Sequence, residues 1–247
     1  MRIAISGTAC QGKTTLVNDF IKNWPIYNRS AESYRKIIKE ENLKLNKEVN
    51  QDGQWRILNC LIDDIQKTSK SDYVIFDRCP LDNLIYSLWS EDKKTSDIDK
   101  NFIQKCIPLV QESMKSIDII FFLPITKVAP VKLEFKETRE IDKEFVGEID
   151  NIFKAISHTM MSTGVCPFMA SDDRPPIIEI FGAPEERIEM IKLYLNEKGE
   201  LIEEGSSSIL DPSNLETMER LLKTQKDIQY DEKLEKQIKN RIIVGNK

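Results

Sequence analysis

Short apolar runs alternate with segments of helical spacing along most of the 247-residue chain. The apolar runs are short enough for buried strands, and they lie at 2–6, 73–76, 117–123 and 176–181. A mixed stretch at 26–31 is interpreted as a fifth strand, at the edge of the sheet. The helical segments lie between the strands, at 13–24, 32–47, 54–68, 80–89, 102–115, 143–161 and 184–195. This alternation predicts a three-layer α/β fold, in which helices cover both faces of a five-stranded parallel sheet.

Two segments depart from the alternation. Residues 124–145 are rich in lysine and acidic residues with little periodicity, which favours a mobile, helical lid over a piece of the core. Residues 198–247 are predicted to form a C-terminal extension, with a hairpin or loop at 198–199 followed by helices at 212–224 and 228–243, the second of them highly charged. The chain is therefore divided into a main domain, residues 1–197, and this extension.

Composition and charge narrow the class of protein. Hydrophobic residues make up 40% of the chain and charged residues 31%, as in soluble globular proteins. The net charge of −5 gives no overall basic field for nucleic acid. No apolar run approaches the length of a membrane span, and the first residues resemble a core strand rather than a signal peptide. We therefore expect a cytoplasmic protein with no membrane contact.

The cysteines support the same expectation. Five cysteines are scattered through the chain without a Cys-x-x-Cys pair, and there is a single histidine. This pattern disfavours a structural zinc site and favours reduced thiols.

The most specific motif is Gly7-x-x-x-x-Gly12-Lys13-Thr14, which lies between the first predicted strand and the first predicted helix. It matches the whole phosphate-binding loop (P-loop) pattern, in which backbone N–H groups surround nucleotide phosphates. Lys13 is placed to reach the β- and γ-phosphates of ATP, and the Thr14 hydroxyl is placed to bind Mg²⁺. The residues predicted to bind the nucleotide are Gly7, Thr8, Ala9, Cys10, Gln11, Gly12, Lys13, Thr14 and Thr15.

A second motif, Asp77-Arg78, closes the apolar run at 73–76. Asp77 would lie at the carboxyl edge of the sheet, where open parallel sheets bind ligands. Two roles are open to it: general base toward an acceptor hydroxyl, or partner of Mg²⁺ through water. Asp82 follows in the next helix, either as a weaker site residue or as the cap of that helix.

The strand, Asp-Arg and helix arrangement resembles the nucleoside and nucleotide kinase group of P-loop proteins, including deoxynucleoside kinases and the ribosylnicotinamide-kinase type. The run at 73–76 is closed by Asp77-Arg78 rather than by an acidic Asp-Glu pair, and the chain has no guanine-binding Asn-Lys-x-Asp motif, which separates it from helicase-like ATPases and GTPases. Further similarities are Glu32-x-x-Arg35, Gln54, an arginine (Arg139) in the lid-like segment, and the loop Gly182-Ala183-Pro184 after the last strand. The resemblance covers about residues 1–197.

The resemblance implies an ATP- and Mg²⁺-dependent phosphotransferase (a kinase) that acts on a nucleoside, nucleotide or nucleotide-like acceptor. In this interpretation the catalytic residues are Lys13, Asp77, Arg78 and Arg139, and Thr14 and Asp77 hold the metal. The acceptor would contact Glu32, Arg35, Gln54 and Arg78. Glu32 and Arg35 also fit an ordinary ion pair on the surface of a helix, and Arg139 also fits a solvated loop.

Two other functions stay open at this stage. One is a kinase of a hydroxyl on a modified base or an end of DNA or RNA, which the lysines of the lid favour and the overall acidity disfavours. The other is a P-loop ATPase switch that acts through a protein partner bound by the C-terminal helices. The identity of the acceptor is left open, and so is a homo-oligomeric state.

Overall fold

The computed structural model describes residues 1–127, 142–163, 168–169 and 174–202, with the side chains of 160–163 excluded. Its five strands are β1 (Arg2–Ser6), β2 (Asn28–Arg29), β3 (Val74–Asp77), β4 (Ile119–Phe122) and β5 (Ile177–Glu179). All neighbouring strands pair in parallel, in the order β2-β3-β1-β4-β5. The predicted five-stranded parallel sheet, including its short edge strand, is confirmed.

The helices follow the predicted order. They are α1 (Lys13–Asn23), α2 (Ser33–Glu40), α3 (Gln51–Gln66), α4 (Pro80–Lys93), α5 (Lys100–Met114), α6 (Lys143–Thr163) and α7 (Pro184–Lys192), with a 3₁₀ turn at Asn46–Glu48. The helix predicted to reach residue 47 ends at Glu40, and Asn42 just after it has a left-handed φ of 49°. Conversely, α4 continues to Lys93, into a stretch predicted as a surface loop, and stops where Lys94 becomes left-handed.

The sheet separates two apolar cores because successive strand residues point to opposite faces. Ala4, Phe76 and Ile120 pack in the core formed with α3, α4, α5 and α6. Strand residues that point to the opposite face, such as Ile5 and Ile75, pack in the core formed with α1 and α7. The three predicted layers therefore follow from the alternation along each strand.

The strand register brings two motifs to one edge of the sheet. Ile5 of β1 is paired with Asp77 of β3, and Ser6 is paired with Phe122 of β4. The loop that follows β1 and the Asp77-Arg78 pair therefore leave the sheet side by side.

The opposite edge of the sheet carries the start of the predicted extension. Leu195 and Leu201 form an antiparallel bridge, so the hairpin alternative is confirmed over these residues. The Trp24 indole donates to the Asn196 carbonyl over 2.9 Å, and the Tyr27 hydroxyl donates to the Gly199 carbonyl over 2.6 Å. The domain boundary at 197 stays a prediction, since residues 203–247 lie outside the described residues.

The predicted lid is described only at its two ends, because residues 128–141 lie outside the described residues. No helix within the described ranges is long and apolar enough to cross a membrane.

Candidate functional site

The loop between β1 and α1 depends on its two glycines. Gly7 has φ 136°, and a Cβ atom there would lie 2.8 Å from the Leu123 carbonyl oxygen. Gly12 has φ 77° and lies directly before α1. These conformations are ones that residues with side chains rarely adopt, so the motif's glycines are required by the backbone. The loop has the strand-to-helix placement predicted for a phosphate-binding loop.

Lys13 lies inside this loop. Its ammonium group donates to the Gly7 carbonyl over 2.9 Å and to the Thr8 carbonyl over 2.5 Å, and the residue is only 6% exposed. Burial, followed by the charge of Arg78, lowers the pKa of Lys13 to about 7. The Lys13 ammonium therefore binds two carbonyls of the loop at the place where nucleotide phosphates are predicted to bind.

Neighbouring elements hold the loop from outside. The Thr8 hydroxyl donates to the Val146 carbonyl of α6 over 3.1 Å. Arg187 of α7 donates through Nη1 to the Gln11 carbonyl over 2.7 Å and through Nε to the Gly182 carbonyl over 2.9 Å. Arg187 is 6% exposed, and burial lowers its pKa. It joins the P-loop to the loop after β5, a role that the sequence analysis missed because no motif contains this arginine.

Asp77 is the point where the two predicted halves of the site meet. Its Oδ2 atom accepts a 2.6 Å hydrogen bond from the Thr14 hydroxyl and a 2.7 Å hydrogen bond from Arg35. Its Oδ1 atom is buried and has no hydrogen-bond partner among the described residues. Burial by itself would raise the pKa of Asp77, but the Thr14 hydrogen bond and the charges of Lys13, Arg35 and Arg78 hold that pKa below its ordinary value. The carboxylate is therefore ionised at neutral pH.

Glu32 and Arg35 form the ion pair predicted from their spacing, and each of them also contacts a further residue of the site. Glu32, directly before α2, contacts Arg35 and also Arg29 of β2. Arg35 also forms an ion pair with Oδ2 of Asp77, and Arg29 lies 3.7 Å from the same oxygen. Arg29 was not predicted, although it ends a strand at the carboxyl edge of the sheet. The network links the start of α2 to the P-loop through Asp77.

Gln54 and Arg78 reach the same helix, α4. The buried Gln54 accepts hydrogen bonds from the Asn83 amide through its side-chain oxygen and, over 3.2 Å, through its backbone carbonyl. Arg78 has a left-handed φ of 90° and lies 5.2 Å over the ring of Tyr86. A strained backbone at a non-glycine residue is common at functional sites.

Asp82 caps its helix and also holds the P-loop. It accepts from the backbone N–H of Cys79 over 3.0 Å, which is the capping role considered for it. It also accepts from the Ser6 hydroxyl over 2.6 Å and lies 3.3 Å from one Arg78 nitrogen. Asp82 therefore positions the end of β1 and the start of α4 relative to each other.

The oxygen groups beside the P-loop fit a Mg²⁺ ion. The Thr14 hydroxyl oxygen and an ionised carboxylate are ligand types that Mg²⁺ prefers, and the free Oδ1 of Asp77 leaves capacity for a metal-bound water. The described residues contain no group of three or more His, Cys, Asp or Glu side chains that could hold another metal. Arg139, predicted to be catalytic, lies outside the described residues.

Residues 2–160 match the AAA_28 family model, described as an AAA domain, and this is more than half of the chain. The chain therefore belongs to the AAA_28 family. The search of curated protein sequences returned no match.

Solved structures that share the fold include three P-loop proteins. NadR in complex with NR has a TM-score of 0.54 at 17% identity, covering 83% of this chain and 53% of that chain. Deoxyadenosine kinase from M. mycoides has a TM-score of 0.53 at 16% identity, covering 77% and 96%. Thymidylate kinase from Candida albicans has a TM-score of 0.54 at 17% identity, covering 82% and 95%.

The chain spans about half the length of the NadR chain that it matches. At these identities the similarity shows the fold, which is the P-loop NTPase fold of nucleoside and nucleotide kinases. The resemblance inferred from the sequence is confirmed at this level.

Proposed function

We propose that this protein is an ATP-dependent kinase, which transfers the γ-phosphate of ATP to a nucleoside, a nucleotide or a related small molecule. The observation that carries the proposal is the position of Asp77. One carboxylate oxygen binds both Thr14, at the end of the P-loop, and Arg35, from the predicted acceptor segment. A donor site and an acceptor site that share a carboxylate are arranged for transfer between two bound molecules.

The donor side is assigned to the P-loop. Backbone N–H groups of Gly7 to Gly12 and the ammonium of Lys13 bind the ATP phosphates, and Lys13 exchanges its carbonyl contacts for phosphate oxygens. Thr14 and Asp77 would hold Mg²⁺, which, when bound, would neutralise charge on the phosphate oxygens. Arg187 fixes the loop that receives these phosphates.

The acceptor side is assigned to the residues of α2, α3 and α4 that lie near Asp77. Arg35 and Arg78 orient the acceptor, and the free Oδ1 of Asp77 takes a hydrogen bond from its hydroxyl. The hydroxyl oxygen forms a bond to the γ-phosphorus while the bond from that phosphorus to the bridging oxygen of ADP breaks. The hydroxyl proton passes to Asp77 and then to solvent. The protein contributes little covalent chemistry, because phosphoryl transfer depends mainly on positioning and charge.

The names of the structural neighbours are compatible with this assignment. They are a NadR protein with bound NR, a deoxyadenosine kinase and a thymidylate kinase. Transfer to DNA or RNA, and ATP hydrolysis coupled to a protein partner, are separate outcomes of the test. Cytoplasmic location and oligomeric state stay predictions.

Incubation with Mg²⁺ and γ-labelled ATP tests the proposal, using nucleosides, their monophosphates and short oligonucleotides as acceptors. We expect the label to appear on a small-molecule acceptor. Label found only in free phosphate would support the ATPase switch instead, and label on oligonucleotides alone would support the nucleic-acid kinase. The Lys13→Ala variant should be inactive, and retained turnover would contradict the whole assignment.

A further inference from the structure

Four buried polar atoms in α2, at the end of β3 and in the first two turns of α4 have no hydrogen-bond partner among the residues that the structure describes. They are the hydroxyls of Tyr34 and Tyr86, Oδ1 of Asn83 and Oδ1 of Asp77. A buried polar atom without a partner costs free energy, so native proteins rarely keep one without a reason such as a ligand. Four such atoms from α2, β3 and α4 indicate a place where a polar molecule binds.

Three of the four residues interact with Arg78. Its guanidinium lies 5.2 Å over the Tyr86 ring, and it interacts electrostatically with Tyr34 and Asp77. Asn83 lies three residues before Tyr86, on the same face of α4. Three of the unpartnered atoms therefore belong to residues that interact with Arg78, and the fourth belongs to Asn83, about one helical turn from Tyr86.

The Asn83 side chain is held in a fixed orientation. Its amide nitrogen donates to both the side-chain oxygen and the backbone carbonyl of the buried Gln54. Its oxygen, Oδ1, is left as a hydrogen-bond acceptor. The Tyr34 ring is likewise held, since the Arg35 guanidinium lies 5.2 Å over it. These groups are positioned before any ligand arrives, as a specific binding site requires.

Among the described residues, the charges of the acceptor side are already balanced. Three arginines reach it, and each has a carboxylate partner. The pairs are Arg29 with Glu32, Arg35 with Glu32 and Asp77, and Arg78 with Asp82. A second phosphate would need cations without partners, whereas the unpartnered groups are neutral hydroxyls and an amide oxygen together with one carboxylate oxygen.

We infer that the acceptor is an uncharged nucleoside rather than a nucleotide, and that Tyr34, Asn83 and Tyr86 bind its hydroxyl and N–H groups. This inference rests on the proposed kinase function and narrows it. The three polar residues hold the nucleoside, while Oδ1 of Asp77 accepts a hydrogen bond from the hydroxyl that is phosphorylated.

A paired substrate panel tests the substrate class. Common ribonucleosides and deoxyribonucleosides are compared with their 5′-monophosphates, with labelled ATP and Mg²⁺. We expect transfer to at least one nucleoside and none to the matching monophosphate. Transfer to monophosphates alone would overturn this inference and leave the proposed kinase intact. Label in free phosphate alone would overturn the kinase itself.

The variants Tyr34→Phe and Tyr86→Phe test the binding residues. Each should raise the KM for the nucleoside by about threefold to tenfold, the value of one hydrogen bond, with the KM for ATP changed less than about twofold. Because each substitution removes an unpartnered hydroxyl, the melting temperature of the free protein should stay the same or rise. A merely structural tyrosine would lower the melting temperature.

Tyr73→Phe is the matched control. The Tyr73 hydroxyl faces Glu200 at the opposite edge of the sheet, 3.3 Å away, so its removal should leave both KM values unchanged. If neither Tyr34→Phe nor Tyr86→Phe changes the KM for the nucleoside, or if both lower the melting temperature, the assignment of these residues is wrong.

Discussion

The Thr14 hydroxyl donates a 2.6 Å hydrogen bond to Oδ2 of Asp77, which is 1% exposed. This bond connects the first turn of α1 with the carboxyl end of β3, and Arg35 extends it to α2. Each of the three contributing segments carries its own motif, separated along the chain by tens of residues. The contacts of Asp77 therefore bring together three motifs that lie apart in the sequence.

Gly7 and Gly147 give a matched pair of substitutions for the P-loop. Gly7→Ala should cost about 1–3 kcal/mol of unfolding free energy from backbone strain alone, and more from the contact with the Leu123 carbonyl. Gly147→Ala, in α6 with nothing within 4 Å of its new Cβ, should stabilise the protein by about 0.5–1 kcal/mol. Urea unfolding of both variants measures this difference. Equal stability of the two variants would show that Gly7 is not under the backbone constraint described.

Arg187 should affect both stability and nucleotide binding. Arg187→Met leaves the carbonyls of Gln11 and Gly182 without their donor, which should cost about 1–3 kcal/mol of unfolding free energy. ATP affinity should fall by roughly tenfold, because a loose P-loop must be ordered on binding. Lys192→Met, on the exposed side of the same helix, is the control and should change neither quantity. Unchanged ATP affinity in Arg187→Met, measured by calorimetry, would remove this arginine from the donor site.

The lowered pKa of Lys13 predicts that ATP binding takes up protons. With a pKa of about 7 in the free protein, Lys13 is mostly neutral at pH 8. Bound phosphates favour the charged ammonium and raise this pKa, so the lysine gains a proton on binding. Calorimetry at pH 8 in buffers of different ionisation enthalpy measures the number of protons. Binding of AMP, which lacks the phosphates that Lys13 is placed to reach, should be coupled to the uptake of fewer protons. Release of protons on ATP binding would contradict the prediction.

The sheet and the P-loop could be predicted from the sequence because local patterns determine them. A four-residue apolar run such as 73–76 is too short for a helix and is typical of a buried strand, and the glycines of the loop are required by its backbone. The ends of helices were less predictable. Helix α2 ends at Glu40, two residues before the left-handed Asn42, and α4 ends at Lys93, before the left-handed Lys94. The helical pattern does not reveal these positions.

The candidate site was predictable only where a residue belongs to a motif. Asp77 and Arg35 were found through their motifs, and the structure brings them together. Arg187 and Arg29 were missed because their contacts arise from tertiary packing. Arg187 reaches the P-loop from α7, and Arg29 reaches Glu32 and Asp77 from the edge strand. The unpartnered hydroxyls of Tyr34 and Tyr86 could not be predicted either, since satisfaction of a hydrogen bond is a property of the folded chain.

The most direct test of the account is the separation of ATP binding from phosphate transfer in the Asp77→Asn variant. If Asp77 joins donor and acceptor, transfer of labelled phosphate should fall by at least about 100-fold. The affinity for ATP without Mg²⁺ should change less than about fivefold, and Asp19→Asn, on the surface of α1, should behave as wild type. Equal losses of transfer and of ATP affinity in Asp77→Asn would contradict the account.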